Sequence, residues 1–357
     1  MGKKIVLVAL AMALVLGMVG MASAAQNVAN TNQKGSLLIW PKIANADGYS
    51  TLITIGNDYY DEVWVKCYWV DADQQIEDFM FRLTPNQPVW FRASDGTGGV
   101  MTVPPFNGDN GELKCWAVND AGDTQIAFNH LYGSAVIFEG VTTGFEYNAW
   151  SFTAKVSPQG AAVGTGGNLQ LTGLAGGYDA CPQYLVENFM AYVENTAAER
   201  EPYVALVPCK QDLRQDRTPT CTKAKFDVWN ENETKYTGAY RCIKCWFEGE
   251  LNEIAVFVSG NGYGFGSDKF TLAGLHTFLA RFRVTGVASS VCTGKIAGCT
   301  GVTQVNTPLL GVLFHDVKFA TGPEMLIGTT PHTAGADGTG FVLWDAAGDS
   351  PEAPAAK

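Results

Sequence analysis

The stretch Thr51 to Asp71, TLITIGNDYYDEVWVKCYWVD, constrains the fold of this chain more than any other. Successive side chains of an extended strand point to opposite faces, so hydrophobicity with a period of two marks a strand with a core side. Ile53 and Ile55 share one face of a first strand. Val63, Val65, Cys67 and Trp69 share one face of a second, and Trp64, Lys66, Tyr68 and Val70 the other. Asn57, Asp58 and Asp61 lie between them, and short polar side chains of this kind favour turns because they bond nearby backbone. The stretch predicts a two-stranded ribbon with a core face.

The pattern recurs along the chain. Phe79 to Leu83, Val89 to Arg92, Leu113 to Val118, Thr124 to Asn129, Ala135 to Phe138 and Tyr147 to Val156 read as further short strands. Glycine-rich loops at Asp95 to Gly99 and Asn107 to Gly111 separate them, and 40 glycines in 357 residues suit many tight turns better than helices. Strands at this spacing predict β-sandwiches. The charge-poor, glycine-rich segment 157–180 reads as a linker. The division predicted is a signal peptide over 1–24, a first sandwich over 25–156, the linker over 157–180, a second sandwich over 181–328 and a flexible tail over 329–357.

The second half repeats the first in loose form. Leu38-Ile39-Trp40-Pro41 is matched by Ala205-Leu206-Val207-Pro208, Val65-Lys66-Cys67 by Ile243-Lys244-Cys245, Phe81-x-Leu83 by Phe270-x-Leu272, and Arg92 by Arg281. Matches that keep their order, with insertions only in turns, predict a duplicated domain. VPCKQDLRQDRTP, FDVWNENETKYTGAYRCIKCW, FRVTG and LLGVL resemble segments of exported bacterial proteins of uncharacterised function. The resemblance implies immunoglobulin-like or fibronectin-III-like β-sandwiches outside the cytoplasm, so that the fold expected is two tandem immunoglobulin-like β-sandwich domains. It supplies no catalytic residue.

Export is also written at the N-terminus. Lys3 and Lys4 precede the apolar run Ile5 to Leu16, and Ala22-Ser23-Ala24 is a small-x-small cleavage site. No later stretch has the length of a membrane helix. The formal net charge is −11, and loss of the two signal lysines takes it to −13. Such a chain repels phosphate backbones, so nucleic acid is not an expected partner.

All nine cysteines follow the cleavage site, and an exported chain meets oxidising conditions. Nine is odd, which leaves at least one thiol free or paired with another chain. Cys67 and Cys115 stand in matching Lys-Cys-aromatic contexts and are expected to bond to each other. Cys209 with Cys242 and Cys292 with Cys299 are the favoured further pairs, with Cys209–Cys221 competing, because spacing alone does not fix connectivity. Cys242-Ile243-Lys244-Cys245 lacks the histidine of a haem attachment site, and in a strand its two sulfurs would point apart.

Four histidines, no GxSxG elbow and no clustered catalytic set leave no mark of an active site. The loop Ser259 to Gly266, SGNGYGFG, opens no helix and lacks the N-terminus that would hold phosphate. Asp71, Asp73, Glu77 and Asp78, and again Asn107, Asp109, Asn110 and Glu112, are oxygen-rich groups that calcium could use, and are read as solvated turns. The expectation is a non-enzymatic secreted structural or binding protein without metal or cofactor. Its partners would be extracellular or cell-surface proteins, or further copies joined by edge strands or an unpaired cysteine. A carbohydrate-binding module, with Trp64 and Trp116 stacking on sugars, and a carboxylate-based hydrolase are the alternatives.

Overall fold

The computed structural model describes residues 27–46, 48–140, 143–194, 197–256, 270–294, 299, 302–322 and 324–346. The expected signal peptide, the loop Ser259 to Gly266 and the last residues from Gly348 lie outside the described residues. The first strands are β1 (Leu37–Ala44), β2 (Tyr49–Asn57), β3 (Val63–Asp71), β4 (Ile76–Leu83), β5 (Pro88–Arg92) and β6 (Asn110–Val118). Next come β7 (Leu131–Glu139), β8 (Thr143–Asn148), β9 (Trp150–Phe152), β10 (Asn168–Leu171), β11 (Cys181–Met190) and β12 (Val193–Glu194). They are followed by β13 (Ala198–Pro208), β14 (Lys210–Asp212), β15 (Thr222–Asn230), β16 (Lys235–Ile243), β17 (Phe247–Glu250) and β18 (Ala255–Val256). The last are β19 (Leu279–Val287), β20 (Leu309–Phe319), β21 (Met325–Thr329), β22 (His332–Asp337) and β23 (Gly340–Leu343).

These strands form five small sheets. The central one has the order β4-β3-β6-β1-β9, and its flanking neighbour is β5-β2-β7-β8. A three-stranded sheet, β10-β23-β14, a six-stranded sheet, β18-β16-β15-β19-β11-β22, and a sheet β12-β13-β20-β21, with β17 also on β13, complete the set. The sheets are arranged as the blades of a five-bladed, propeller-like body and not as two tandem immunoglobulin-like sandwiches. Strands of one blade come from distant parts of the chain, as where β10 pairs with β23.

Burial of the central sheet on both faces explains the difference. A sandwich sheet turns one face to its partner and the other to water, which gives alternate burial. Every residue of β1 is buried, as are all but Trp64 and Asp71 of β3 and all but the first residue of β6. Leu38, Trp40, Val65 and Trp69 pack into a core shared with Ile53, Ile55, Phe91 and Ile137 of the flanking sheet. Their neighbours Leu37, Ile39, Tyr68, Val70 and Trp116 enter a second core with Leu185, Leu206, Phe226 and Phe282 of the second half. Phe314 and Leu326 cross the other way into the first core. Segment 157–180, expected as a linker, contributes the fully buried Leu169, Leu171 and Tyr178, and the expected tail contributes Val342 and Trp344.

The duplication does not survive as equivalent positions. Val65-Lys66-Cys67 lies inside β3, whereas Lys244 and Cys245 follow the end of β16 in a bend. Phe81 and Leu83 are strand residues, whereas Leu272 opens the short helix α1 (Leu272–Leu275). Short apolar matches arise wherever strands alternate, so ordered matches of this length do not require a duplicated domain.

Charged side chains enter the central sheet with the second core. Lys42, Lys66, Lys114 and Glu112 are all buried. Lys66 pairs with Asp78 and Lys114 with Glu112, while Lys42 pairs with Glu248 of β17. Burial pushes the Glu112 carboxyl above its usual range and the Lys114 ammonium below its own, with each partner opposing that shift. Gln211 of β14 donates to Glu112 and, at 2.9 Å, to the Cys245 carbonyl, and Trp246 Nε1 donates to the Pro41 carbonyl at 2.8 Å.

Cys67 and Cys115 are bonded across β3 and β6, directly opposite in register, with their Cα atoms 4.1 Å apart. The Lys-Cys-aromatic motifs meet antiparallel around this bond, with Tyr68 stacked on Trp116 at 5.2 Å. The other favoured pairs are corrected. Cys209 bonds Cys181, Cys242 bonds Cys292, and Cys221 bonds Cys299. Cys209 follows β13 and Cys242 lies in β16, strands of different sheets, and Cys292 and Cys299 are drawn to β16 and to the start of β15.

The Cys67–Cys115 bond closes a separation of 48 residues, so replacing both cysteines by alanine should lower unfolding free energy by about 4 kcal/mol through chain entropy, read as a lower guanidinium midpoint. His315 Nε2 in β20 accepts the Met190 N–H of β11 at 3.1 Å, and burial, with the Arg200 charge, holds its pKa down to about 4. An unfolded histidine titrates near 6.5, so as pH falls from there to about 4 only the unfolded chain takes up this proton and stability drops by about 3 kcal/mol. Asp316 and Glu139, held above the usual carboxylate range, act with the opposite sign. The His315 contribution is therefore the wild-type loss minus that of His315→Gln, which keeps an acceptor without the titration.

Candidate functional site

The residues expected to carry function are mostly absorbed by the fold. Trp116 is fully buried, so it is not available to stack on a sugar, and the half-buried Trp64 lies beside Arg82. In the first acidic group Asp71 Oδ1 accepts the Gln75 N–H at 2.6 Å, Glu77 accepts from Asn107, and Asp78 holds Lys66. In the second, Glu112 belongs to the buried pair with Lys114. Cys245 is the unpaired thiol, and it is buried. Its Sγ lies 3.8 Å from the Asp71 and Ala72 carbonyls, and burial, reinforced by Glu112, pushes its pKa up to about 12. A buried thiol held protonated is a poor nucleophile, which disfavours Cys245 as a link to a second chain.

A different surface gathers chemistry: the outward face of the six-stranded sheet. Along TKAKFDVWN in β15 the even-numbered residues Ala224, Phe226 and Val228 are buried. Lys223, Lys225, Asp227 and Trp229 therefore share the opposite face. In β19, Ala280, Phe282 and Val284 are buried and Arg281 and Arg283 face outward. The register sets Trp229 opposite Arg281 on one side and Lys235 on the other, and sets Asp227 opposite Arg283. Directly opposed side chains lie within contact distance, so these pairs form rows across the sheet.

The geometry bears this out atom by atom. Asp227 Oδ2 accepts from Arg283 at 2.7 Å, and Oδ1 lies 3.2 Å from the Lys235 ammonium and 3.9 Å from that of Lys225. Burial works to raise the Asp227 pKa, but Arg283, Lys235 and Lys225 together hold it below the usual range. Arg281 lies 4.6 Å from the Trp229 ring centre, with Lys235 at 5.1 Å and Arg283 at 5.6 Å. Arg283 also covers Tyr184 of β11, and Lys223 covers Tyr240. Five cations thus share this face with one carboxylate. Among the described residues Arg281 has no carboxylate partner, so its guanidinium donors are uncommitted. An open hollow beside them is lined by Asn188, Trp229, Arg281, Glu231 and Glu233. Its signal in the sequence is the Lys-x-Lys-x-Asp-x-Trp alternation of β15 beside Arg-x-Arg in β19, which matches no catalytic motif.

No protein-family model matches this chain, and no curated protein matches it. Among solved structures it is similar to one described as "a putative secreted protein from Parabacteroides distasonis ATCC 8503", at 9% identity over 84% of this chain and 96% of that chain. The TM-score is 0.16, too low for the likeness to bear on fold or function. Location rests on the chain's own chemistry. Four disulfides mark a protein of an oxidising compartment, extracellular or periplasmic. Among the described residues no helix is long and apolar enough to cross a membrane.

The cysteine map yields a direct test. A thiol reagent should label no cysteine of the native protein and one, Cys245, after unfolding without reductant. Labelling of the native chain, or more than one thiol in denaturant, would contradict the arrangement.

Proposed function

We propose that this is a secreted, non-enzymatic binding protein that holds an acidic extracellular polymer, such as a uronate-bearing or sulfated polysaccharide, on the outward face of β15 and β19. The observation that carries this reading is the concentration of four cations, Lys225, Lys235, Arg281 and Arg283, around Trp229 and Asp227, with Lys223 on the same face, on a chain whose net charge is −11. Arginine presents paired donors in a plane, which suits carboxylate and sulfate groups. Trp229 and Asp227 hold the cations before a ligand arrives, so less side-chain freedom is lost on binding. The rest of the acidic surface repels the same polymer and confines it to this face.

Affinity electrophoresis and calorimetry against polygalacturonate, a sulfated glycan and a neutral glucan test the proposal. Binding should be confined to the acidic polymers and weaken as salt rises. Arg281→Ala should cost roughly tenfold or more in affinity, the loss of one charge-assisted contact, while the polymer's length stays unchanged. Equal binding of the neutral glucan, or no binding to either acidic polymer at low salt, would refute it.

Edge-strand assembly is a second reading. It is favoured by β22, which lies at the edge of the six-stranded sheet with almost all of its residues exposed. Oligomers that grow with concentration and persist in Arg281→Ala would favour it over polymer binding.

A further inference from the structure

At the edge of the β7–β20 contact, three carboxylates converge with fewer cations than charges. Glu139 ends β7, Asp316 lies in β20 and Glu324 immediately precedes β21. One carboxylate oxygen from each falls within 4.8 Å of the others. This span is about twice a calcium–oxygen bond of roughly 2.4 Å, the separation of two ligands on opposite sides of one ion. We propose that Glu139, Asp316 and Glu324 bind a single divalent cation, calcium by the chemistry of an all-oxygen set.

A group of acids alone would not carry this. The second observation is that Asp316, only 4% exposed, leaves Oδ1 buried with no hydrogen-bond partner, and Glu139 leaves Oε2 in the same state. Buried polar atoms are rarely left unmade, because each forfeits its hydration without a replacement. Lys318 is the resident cation, 3.0 Å from Asp316 Oδ2, 3.6 Å from Glu201 and 3.8 Å from Glu324. One ammonium among these four carboxylates leaves a surplus of negative charge. Burial, then the charges of Glu324 and Asp316, push the Glu139 pKa up, as expected of like charges held together.

The position gives the ion a consequence. Glu139 belongs to the flanking sheet of the first half, Asp316 to the β13–β20 sheet of the second, and Glu324 sits just ahead of that sheet's β21. The two sheets meet where Leu326 N–H donates to Thr143 Oγ1 at 2.7 Å and Phe145 stacks on Phe314 at 5.6 Å. Gly328 permits that approach: a Cβ there would lie 2.0 Å from the Phe145 ring. An ion at this seam ties the two sheets together. Extracellular calcium modules bind with dissociation constants of roughly 0.1–1 mM, so a site of this modest charge would be filled outside the cell.

The test uses the full secreted chain, stripped with EDTA and titrated with Ca²⁺ and separately with Mg²⁺, followed by calorimetry and thermal unfolding. One Ca²⁺ per chain should bind, raising the unfolding midpoint saturably, with a smaller response to Mg²⁺. Glu139→Gln and Glu324→Gln should each weaken Ca²⁺ binding roughly tenfold or more. In EDTA both variants should unfold at or above the wild-type midpoint, because a repelling charge is gone. Absence of saturable binding up to about 10 mM, well above that affinity range, would overturn the proposal. So would Ca²⁺ binding that both variants leave unchanged.

Discussion

The structure depends on a sheet that has no wet face. With β1, β3 and β6 covered on both sides, every second residue must suit one core and every other residue a different one. The second core admits lysines, and a buried ammonium is tolerable only where a carboxylate meets it. Lys66 finds Asp78 and Lys114 finds Glu112 within the sheet, but Lys42 finds Glu248, and Glu112 is completed by Gln211. Two of these partners come from beyond residue 200. A chain ending after the first half would expose Tyr68, Val70 and Trp116 and leave Lys42 unpaired. Each half therefore completes the other, and neither is a free-standing sandwich.

Strand positions were legible because period-two alternation is local. Val63 to Val70 and Phe79 to Leu83 are extended as expected. The number of covered faces was less legible, although Leu37-Leu38-Ile39-Trp40 carried the signal: an unbroken apolar run fits burial on both sides, whereas alternation fits burial on one. Leu169 and Leu171 showed the same alternation inside a glycine-rich stretch, where composition outweighed it. Glycine there serves turns with positive φ, as at Gly164, Gly167 and Gly173, around a strand whose two leucines are fully buried. The Cys67–Cys115 bond could be read because two matching Lys-Cys-aromatic tripeptides lie antiparallel, while the other three bonds join elements whose meeting is decided only by tertiary packing.

The two candidate sites differ in legibility for the same reason. Most of the cationic face is written in two short segments, 223–229 and 281–283, with Lys235 added from β16, and it needed only the registers that set Asp227 opposite Arg283 and Trp229 opposite Lys235. The acidic seam draws on residues 139, 316 and 324, whose separation leaves no pattern along the chain. A motif search finds sites built within one strand or loop. It cannot find sites made where two sheets touch.

Charge is thus segregated on this molecule. The pairs of the central sheet neutralise what packing has forced inside, and the surplus of each sign is gathered elsewhere. On the outward face of β15 and β19, Asp227 is held ionised by three cations, and it fixes Arg283 and Lys235 where repulsion alone would spread them. Trp229 does the same for Arg281 without neutralising it. One carboxylate and one indole therefore convert a set of mutually repelling side chains into a fixed array. At the seam that ordering partner is Lys318, whose single charge leaves Asp316 Oδ1 unmatched. Where the resident counter-charge suffices, the fold is complete by itself; where it falls short, the shortfall has a sign, a position and a coordination chemistry.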